Sequence, residues 1–166
     1  MASQRVSEAC GLIDEALQYE SSWQRADEHR ARFGEGVEYY GSSVGAIRAT
    51  LRDTLRRYPE LSHDELTTLS SQLWSAPVYE RRLAAVILLQ TRLEVLVASD
   101  LTRLEGFVRA SVPVEIADAL AHDVIRPLVR SLGPRDRTRA DAVVARWSRS
   151  EYPVLRRAAD VVNSDS

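Results

Sequence analysis

The chain has 166 residues, one ordinary domain's worth, with 45% apolar and 28% charged residues, a formal net charge of -2 and only 7 Gly and 6 Pro, values that exclude a disordered or collagen-like chain and count against a loop-rich all-β fold. The single cysteine, Cys10, excludes an internal disulfide, and His29, His63 and His122 lie too far apart in sequence for zinc-ligand spacing, so neither a metal nor another cofactor is expected. No apolar run approaches the roughly 18 residues a membrane helix needs, and Arg5, Glu8, Asp14 and Glu15 interrupt the first residues, so the chain reads as cytoplasmic, without a membrane partner.

In chain order, Leu12, Ile13 and Leu17 begin a helical pattern that predicts a helix near 5–32. Residues 32–43, with three glycines and the paired Tyr39 and Tyr40, form the longest irregular stretch, and these tyrosines are hard to place as core. Ile47, Leu51 and Leu55 predict a helix near 44–57, which stops at Tyr58-Pro59. A helix pair is then expected near 63–93, opened by a capping box of Ser62 and Glu65 and interrupted at Ser75-Ala76-Pro77. Its second member is apolar on all sides from Leu83 to Leu89, the mark of a central helix. A second pair falls near 100–131, with Asp100 as N-cap and a break at Ser111-Val112-Pro113; Pro127 should kink or end its second helix near Ile125. A third falls near 135–163, with Pro134 at the first helical position and a break from Ser150 to Pro153.

These breaks recur. Ser75-x-Pro77 returns 36 residues later as Ser111-x-Pro113, and a Ser-x-x-Pro version follows at Ser150. Trp74 and Trp147 close the first helices of their pairs and read as core, each followed by an Arg-Arg step with alanines, Arg81-Arg82-Leu83-Ala84-Ala85 and Arg156-Arg157-Ala158-Ala159. A period of about 36 to 40 residues with two helices per unit belongs to solenoids, in which one pair cannot bury its apolar face without a neighbour. The expected fold is all-α, an α-α superhelix forming a short right-handed solenoid in a single domain over 1–166, its second helices lining a concave face.

All 22 basic residues are arginines, and they are unevenly spread: residues 126–166 carry nine Arg against five acids, residues 1–125 thirteen against nineteen. The carboxyl end is the place for a polyanion, or simply a solvated basic face. No phosphate loop, nucleophile elbow or paired-cysteine pattern is present, so chemistry must rest on isolated polar residues. Asp118 stands out because Ile116, Ala117, Leu120 and Ala121 around it are apolar.

From Tyr40 to about Ala159 the chain resembles the AlkD-type DNA glycosylases, the HEAT-like repeat family that removes alkylated purines from DNA. The resemblance is carried by Tyr40-Gly41 with Arg48 in the following helix, by Leu73-Trp74, by Glu80-Arg81 to Leu88-Leu89, by Ser111 to Asp118, and by Arg146-Trp147-Ser148 leading to Leu155-Arg156-Arg157-Ala158-Ala159. It implies HEAT-like repeats, with Asp118 at the catalytic position and Arg157 at that of an arginine contacting DNA near the lesion. Arg156, Arg81, Arg82, Arg48 and Tyr40 are the further nucleic-acid contacts it suggests. Val114 stands where the family carries a tryptophan, and Val154 where it carries an aromatic residue, so both valines would line the lesion site.

The implied chemistry is coherent. An N3- or N7-alkylated purine is already cationic, and its glycosidic bond breaks toward an oxocarbenium-like sugar that a carboxylate can stabilise electrostatically while orienting water. Family members are thought to act on double-stranded DNA containing alkylated purines without flipping the base, gripping the phosphates along the groove instead. His122, four residues after Asp118, could form an acid-base dyad with it, although pairing with Asp123 or solvent is preferred. The family usually continues through further helices, so a protein partner covering the carboxyl-terminal end is expected. The other reading is a noncatalytic HEAT-like module that binds DNA or a protein through the same face.

Overall fold

The computed structural model describes residues 2–165 and is all-helical, as expected of HEAT-like helical repeats, with one isolated bridge between Glu38 and Val78 among the described residues. Two compact units divide the chain, Met1–Thr91 and Arg92–Ser166.

The first unit contains α1 (Ala2–Tyr19), α2 (Trp23–Phe33), α3 (Val44–Arg57), α4 (His63–Ser75) and α5 (Tyr79–Thr91). Val6, Ala9, Ile13 and Leu17 form the buried stripe of α1, which packs on α3 and α4. The helix expected near 5–32 is in fact two: the chain breaks at Glu20 to Ser22, where the Ser22 hydroxyl accepts the Arg25 N–H and caps α2. The capping box at α4 is complete, Ser62 Oγ accepting the Glu65 N–H and Glu65 Oε2 accepting the Ser62 N–H. In α5, Ala84 to Leu89 are all buried, as its apolar surround required.

The irregular stretch is tied down rather than loose. Glu38 N–H donates to Pro77 O and Tyr79 N–H donates to Glu38 O, stitching it to the α4–α5 turn. Glu80, in the first turn of α5 and fully buried, accepts the N–H groups of Tyr40 and Gly41 at 2.9 Å each. Tyr39 is core after all: its ring packs 5.5 Å from that of Tyr79, within a cluster that includes Phe33 and His29, and its hydroxyl donates to Gly34 O. Gly41 has φ +82°, and a Cβ there would collide with the Ser22 carbonyl and the Ala26 amide.

In the second unit, 3-10 turns at Leu93–Val95 and Ala98–Asp100 lead into α6 (Leu101–Arg109). Asp100 sits at the predicted N-cap, but its carboxylate accepts the Val97 N–H and closes the preceding turn instead. α7 (Val114–Leu120) runs through a π-helical stretch, Ala121–Ile125, into α8 (Arg126–Ser131). Pro127 neither ends this helix nor leaves it regular. Its ring would crowd the carbonyl one turn back, and the wider turn, closed by Arg126 N–H to Ala121 O, accommodates it. α9 (Pro134–Ser148) starts on its proline as expected, and α10 (Pro153–Asn163) packs against α6, α7, the π stretch, α8 and α9. Leu155, Ala158, Ala159 and Val162 form its buried face, with Trp147 of α9 fully enclosed beneath the same core. Trp74, in the first unit, is buried too.

Gly41→Ala should cost at least about 2 kcal/mol, combining left-handed strain with backbone collision. Thermal melting should record a fall of roughly 4 °C or more in Tm; an unchanged Tm would show that the Tyr40-Gly41 segment does not hold the first unit together.

Candidate functional site

The two residues singled out most strongly, 39 positions apart, meet in the second unit. Arg157 Nε donates to Asp118 Oδ1 and Arg157 Nη2 to Asp118 Oδ2, both at 2.7 Å, a two-pronged pairing of guanidinium and carboxylate. Asp118 lies one turn into α7 and Arg157 one turn into α10, so the direct packing of these helices sets their approach. The pair is open to solvent, the side chains being 32% and 59% exposed. It borders a shallow depression of about 430 Å³, lined also by Ala119, His122, Asp123 and Val161.

Electrostatics favour the charged guanidinium. Arg157 is held above the usual arginine range, first by its hydrogen bonds to Asp118, then by that carboxylate's charge and more weakly by Glu115. A guanidinium has five N–H groups and two are spent on Asp118, which leaves three for another acceptor. Each carboxylate oxygen also keeps a lone pair. The pair can therefore present a negative and a positive pole to one ligand.

His122 borders the same depression, but its Nδ1 lies 2.7 Å from Asp123 Oδ1, the pairing preferred from sequence over a dyad with Asp118. Val114, at the start of α7, is 39% exposed, and Val154, at the start of α10, is half-buried. Neither offers a π face. Arg156 is exposed, and its Nη1 donates to Ser150 O at 2.6 Å, bracing the α9–α10 turn.

The remaining expected contacts lie in the first unit. Tyr40 and Arg81 converge on Asp14: the Tyr40 hydroxyl donates to Oδ1 at 2.8 Å and Arg81 Nη1 lies 3.3 Å from the same oxygen. Burial first, and then the hydrogen bond to Asp14, push the Tyr40 phenol well above its ordinary range. Arg81 also donates to Gln72 O and lies 3.4 Å from Cys10 Sγ, whose thiol is raised by burial against the lowering charge of Arg81. Arg82 is buried, its guanidinium 5.5 Å from the Trp74 ring, and desolvation holds it below the usual arginine range. Arg48 is exposed on α3.

Sequence reasoning did not find the pair Arg109 and Tyr152. Arg109 Nη2 donates to the Tyr152 hydroxyl at 3.1 Å, and the guanidinium lies 4.5 Å from the ring centroid. The residues are 43 positions apart, and although Tyr152 falls within the Ser150–Pro153 break, no motif connects it with Arg109. Among the described residues no three His, Cys, Asp or Glu side chains converge as a metal would need, and no helix is long and apolar enough to cross a membrane.

The family model described as DNA alkylation repair enzyme matches residues 13–164. No curated protein matches the chain.

Because both side chains are solvent-exposed, the Asp118–Arg157 pair should add little to stability. Asp118→Asn and Arg157→Gln should each leave Tm within about 2 °C of the parent in a thermal melt. A larger fall would make the pair a structural clamp instead of a functional one.

Proposed function

The chain belongs to the DNA alkylation repair enzyme family, and we propose that it is a DNA N-glycosylase that hydrolyses the glycosidic bond of cationic N3- and N7-alkylpurines without flipping the base. DNA is accordingly its partner, and the reading needs no cofactor. The observation that carries the proposal is the two-pronged Asp118–Arg157 pair, exposed at an open depression.

The reaction asks little of a proton donor. As the bond between C1′ and the purine nitrogen breaks, its electron pair neutralises the cationic base, which leaves as a neutral alkylpurine. Positive charge then develops on the sugar. Asp118 supplies the opposing charge and, through a remaining lone pair, orients the water that attacks C1′. Arg157 holds Asp118 in place and offers its unused N–H groups to a phosphate flanking the lesion. An open depression suits a mechanism in which the lesion stays in the duplex, since a flipped base would need an enclosing pocket. Val114 and Val154 would line the lesion side, contributing bulk without the cation-attracting ring faces of aromatic residues.

A second reading has its own observation. Both Asp118 oxygens already face a guanidinium and Val114 brings no π surface, which suits a noncatalytic module that binds DNA through the same residues.

Purified protein incubated with methylated duplex DNA should release 7-methylguanine or 3-methyladenine, measured as free base. Asp118→Asn should slow release by roughly 100-fold or more, the scale on which loss of a transition-state electrostatic contact is felt. Full activity in that variant would remove Asp118 from the mechanism. Salt-sensitive duplex binding without any base release would establish the noncatalytic reading.

A further inference from the structure

The first unit has an uncovered face that the chemistry above does not use. Ile13 and Leu17 of α1 and Ile47 and Leu51 of α3 are buried in the core, where α4 packs on α1 and α5 on α3. A different face of the same two helices lines a groove of about 720 Å³ to which no other helix contributes. Ser42, just ahead of α3, donates its hydroxyl to Leu17 O at 2.6 Å, which sets the start of α3 beside the end of α1 and makes the pair antiparallel. Half-buried Leu12, Ala16, Ala46 and Ala49 floor the groove, and side chains this small let a facing helix approach closely. Tyr19, 88% exposed, stands at one end, an aromatic of the kind that anchors protein interfaces.

The two walls of the groove differ in charge. Along α1 and just past its end, the exposed Glu8, Glu15 and Glu20 have no basic partner among the described residues. The one arginine of α1, Arg5, is turned onto Glu65 of α4 at 3.2 Å, and Asp14 is held by Tyr40 and Arg81. On α3, Arg52, Arg56 and Arg57 are exposed, and the one acid among them is Asp53, 3.9 Å from Arg52 and 3.8 Å from Arg56. Arg57 lines the groove without a carboxylate partner among the described residues. An acidic wall, an apolar floor and a basic wall on one surface complement themselves, which is the condition for a two-fold contact between identical chains. A nucleic acid, by contrast, would meet the glutamate row with its own negative charge.

We propose that the α1–α3 face binds a second copy of this chain. A two-fold axis running along the groove lays α3 of each copy on α1 of the other. Each glutamate row then meets an arginine row while the two apolar floors close on each other as a four-helix core. An axis across the groove would instead set α1 on α1 and oppose like charges. From Leu12 to Tyr19 and from Ala46 to Arg57 the lining spans about 10 Å of α1 and about 16 Å of α3 at 1.5 Å per residue, enough for anchors at i, i+3, i+4 and i+7 on each helix. The proposal does not rest on the glycosylase reading.

The test is the mass of the full chain by sedimentation equilibrium over a dilution series, in which a reversible dimer is expected. Reversing one row, by Glu8→Arg with Glu15→Arg or by Arg56→Glu with Arg57→Glu, should leave each variant monomeric where the parent is dimeric, its fold checked by Tm. An equimolar mixture of the two variants should recover the dimer, because each brings the charge that the other lacks. Ala49→Arg, which fills the floor and leaves both rows intact, should also give a monomer and serves if a row variant does not fold. A parent that stays monomeric overturns the proposal, as does a mixture that does not recover the dimer, or a dimer that survives row reversal and Ala49→Arg. If a monomeric parent instead shows shifts of the Ala46 and Ala49 amide signals on NMR titration with an arginine-rich amphipathic helical peptide, the groove belongs to a different protein and the second copy is ruled out. Absent base release would end the glycosylase reading and leave the dimer standing, whereas a monomer would leave base release untouched.

Discussion

A carboxylate sealed from water must be answered by donors, and Glu80 shows how the first unit meets that demand. Its side chain is fully buried in the first turn of α5, where the helix amino end favours negative charge, and it takes the backbone N–H groups of Tyr40 and Gly41. The geometry only works because residue 41 is glycine, whose backbone passes against Ser22 and Ala26 where no Cβ fits. From this joint the network extends through Tyr40 to Asp14 of α1 and back to Arg81 of α5. Tyr40-Gly41 and Glu80-Arg81, two motifs on which the family resemblance rests, are thus the two halves of one hydrogen-bonded joint.

In the second unit the comparable organising element is α10. Alanines 158 and 159 let it approach its neighbours closely, and Arg126 and Arg130 of α8 fasten its far end by donating to Ser164. With the helix fixed at that end and packed along its length, Arg157 is delivered opposite Asp118. The π stretch belongs to the same construction, because it lets one helix carry both Asp118 and, beyond Pro127, the arginine that anchors α10. Rigid helices rather than a loop therefore position the carboxylate, as the electrostatic role proposed for it demands.

The arginine-only composition hides a division of labour. A guanidinium is planar, weakly hydrated and rich in donors, so it can stack while buried, brace backbone carbonyls or face solvent. Arg82 takes the first role against Trp74, Arg81 and Arg156 the second, and Arg157 and Arg149 the third. Side-chain identity and net charge could not separate these roles, because each depends on which carbonyl, ring or carboxylate the fold brings within a few ångströms.

What the sequence determined by itself was helical class, most helix limits and the residues to inspect. Those signals are local: apolar spacing, the Ser62–Glu65 box, Pro134 at a helix start, and motifs that put Asp118 and Arg157 in view. The break at Ser21-Ser22 was also written in the sequence, but the helical pattern on either side masked it. Tertiary structure alone decided that Asp118 and Arg157 grip each other, that Tyr39 is core, that Asp100 caps a turn rather than α6, and that Arg109 stacks on Tyr152. Most of these outcomes join residues far apart along the chain, and all depend on where a polar group or ring finds its partner. Helix periodicity fixes which face a residue lies on, but only packing fixes what that face meets.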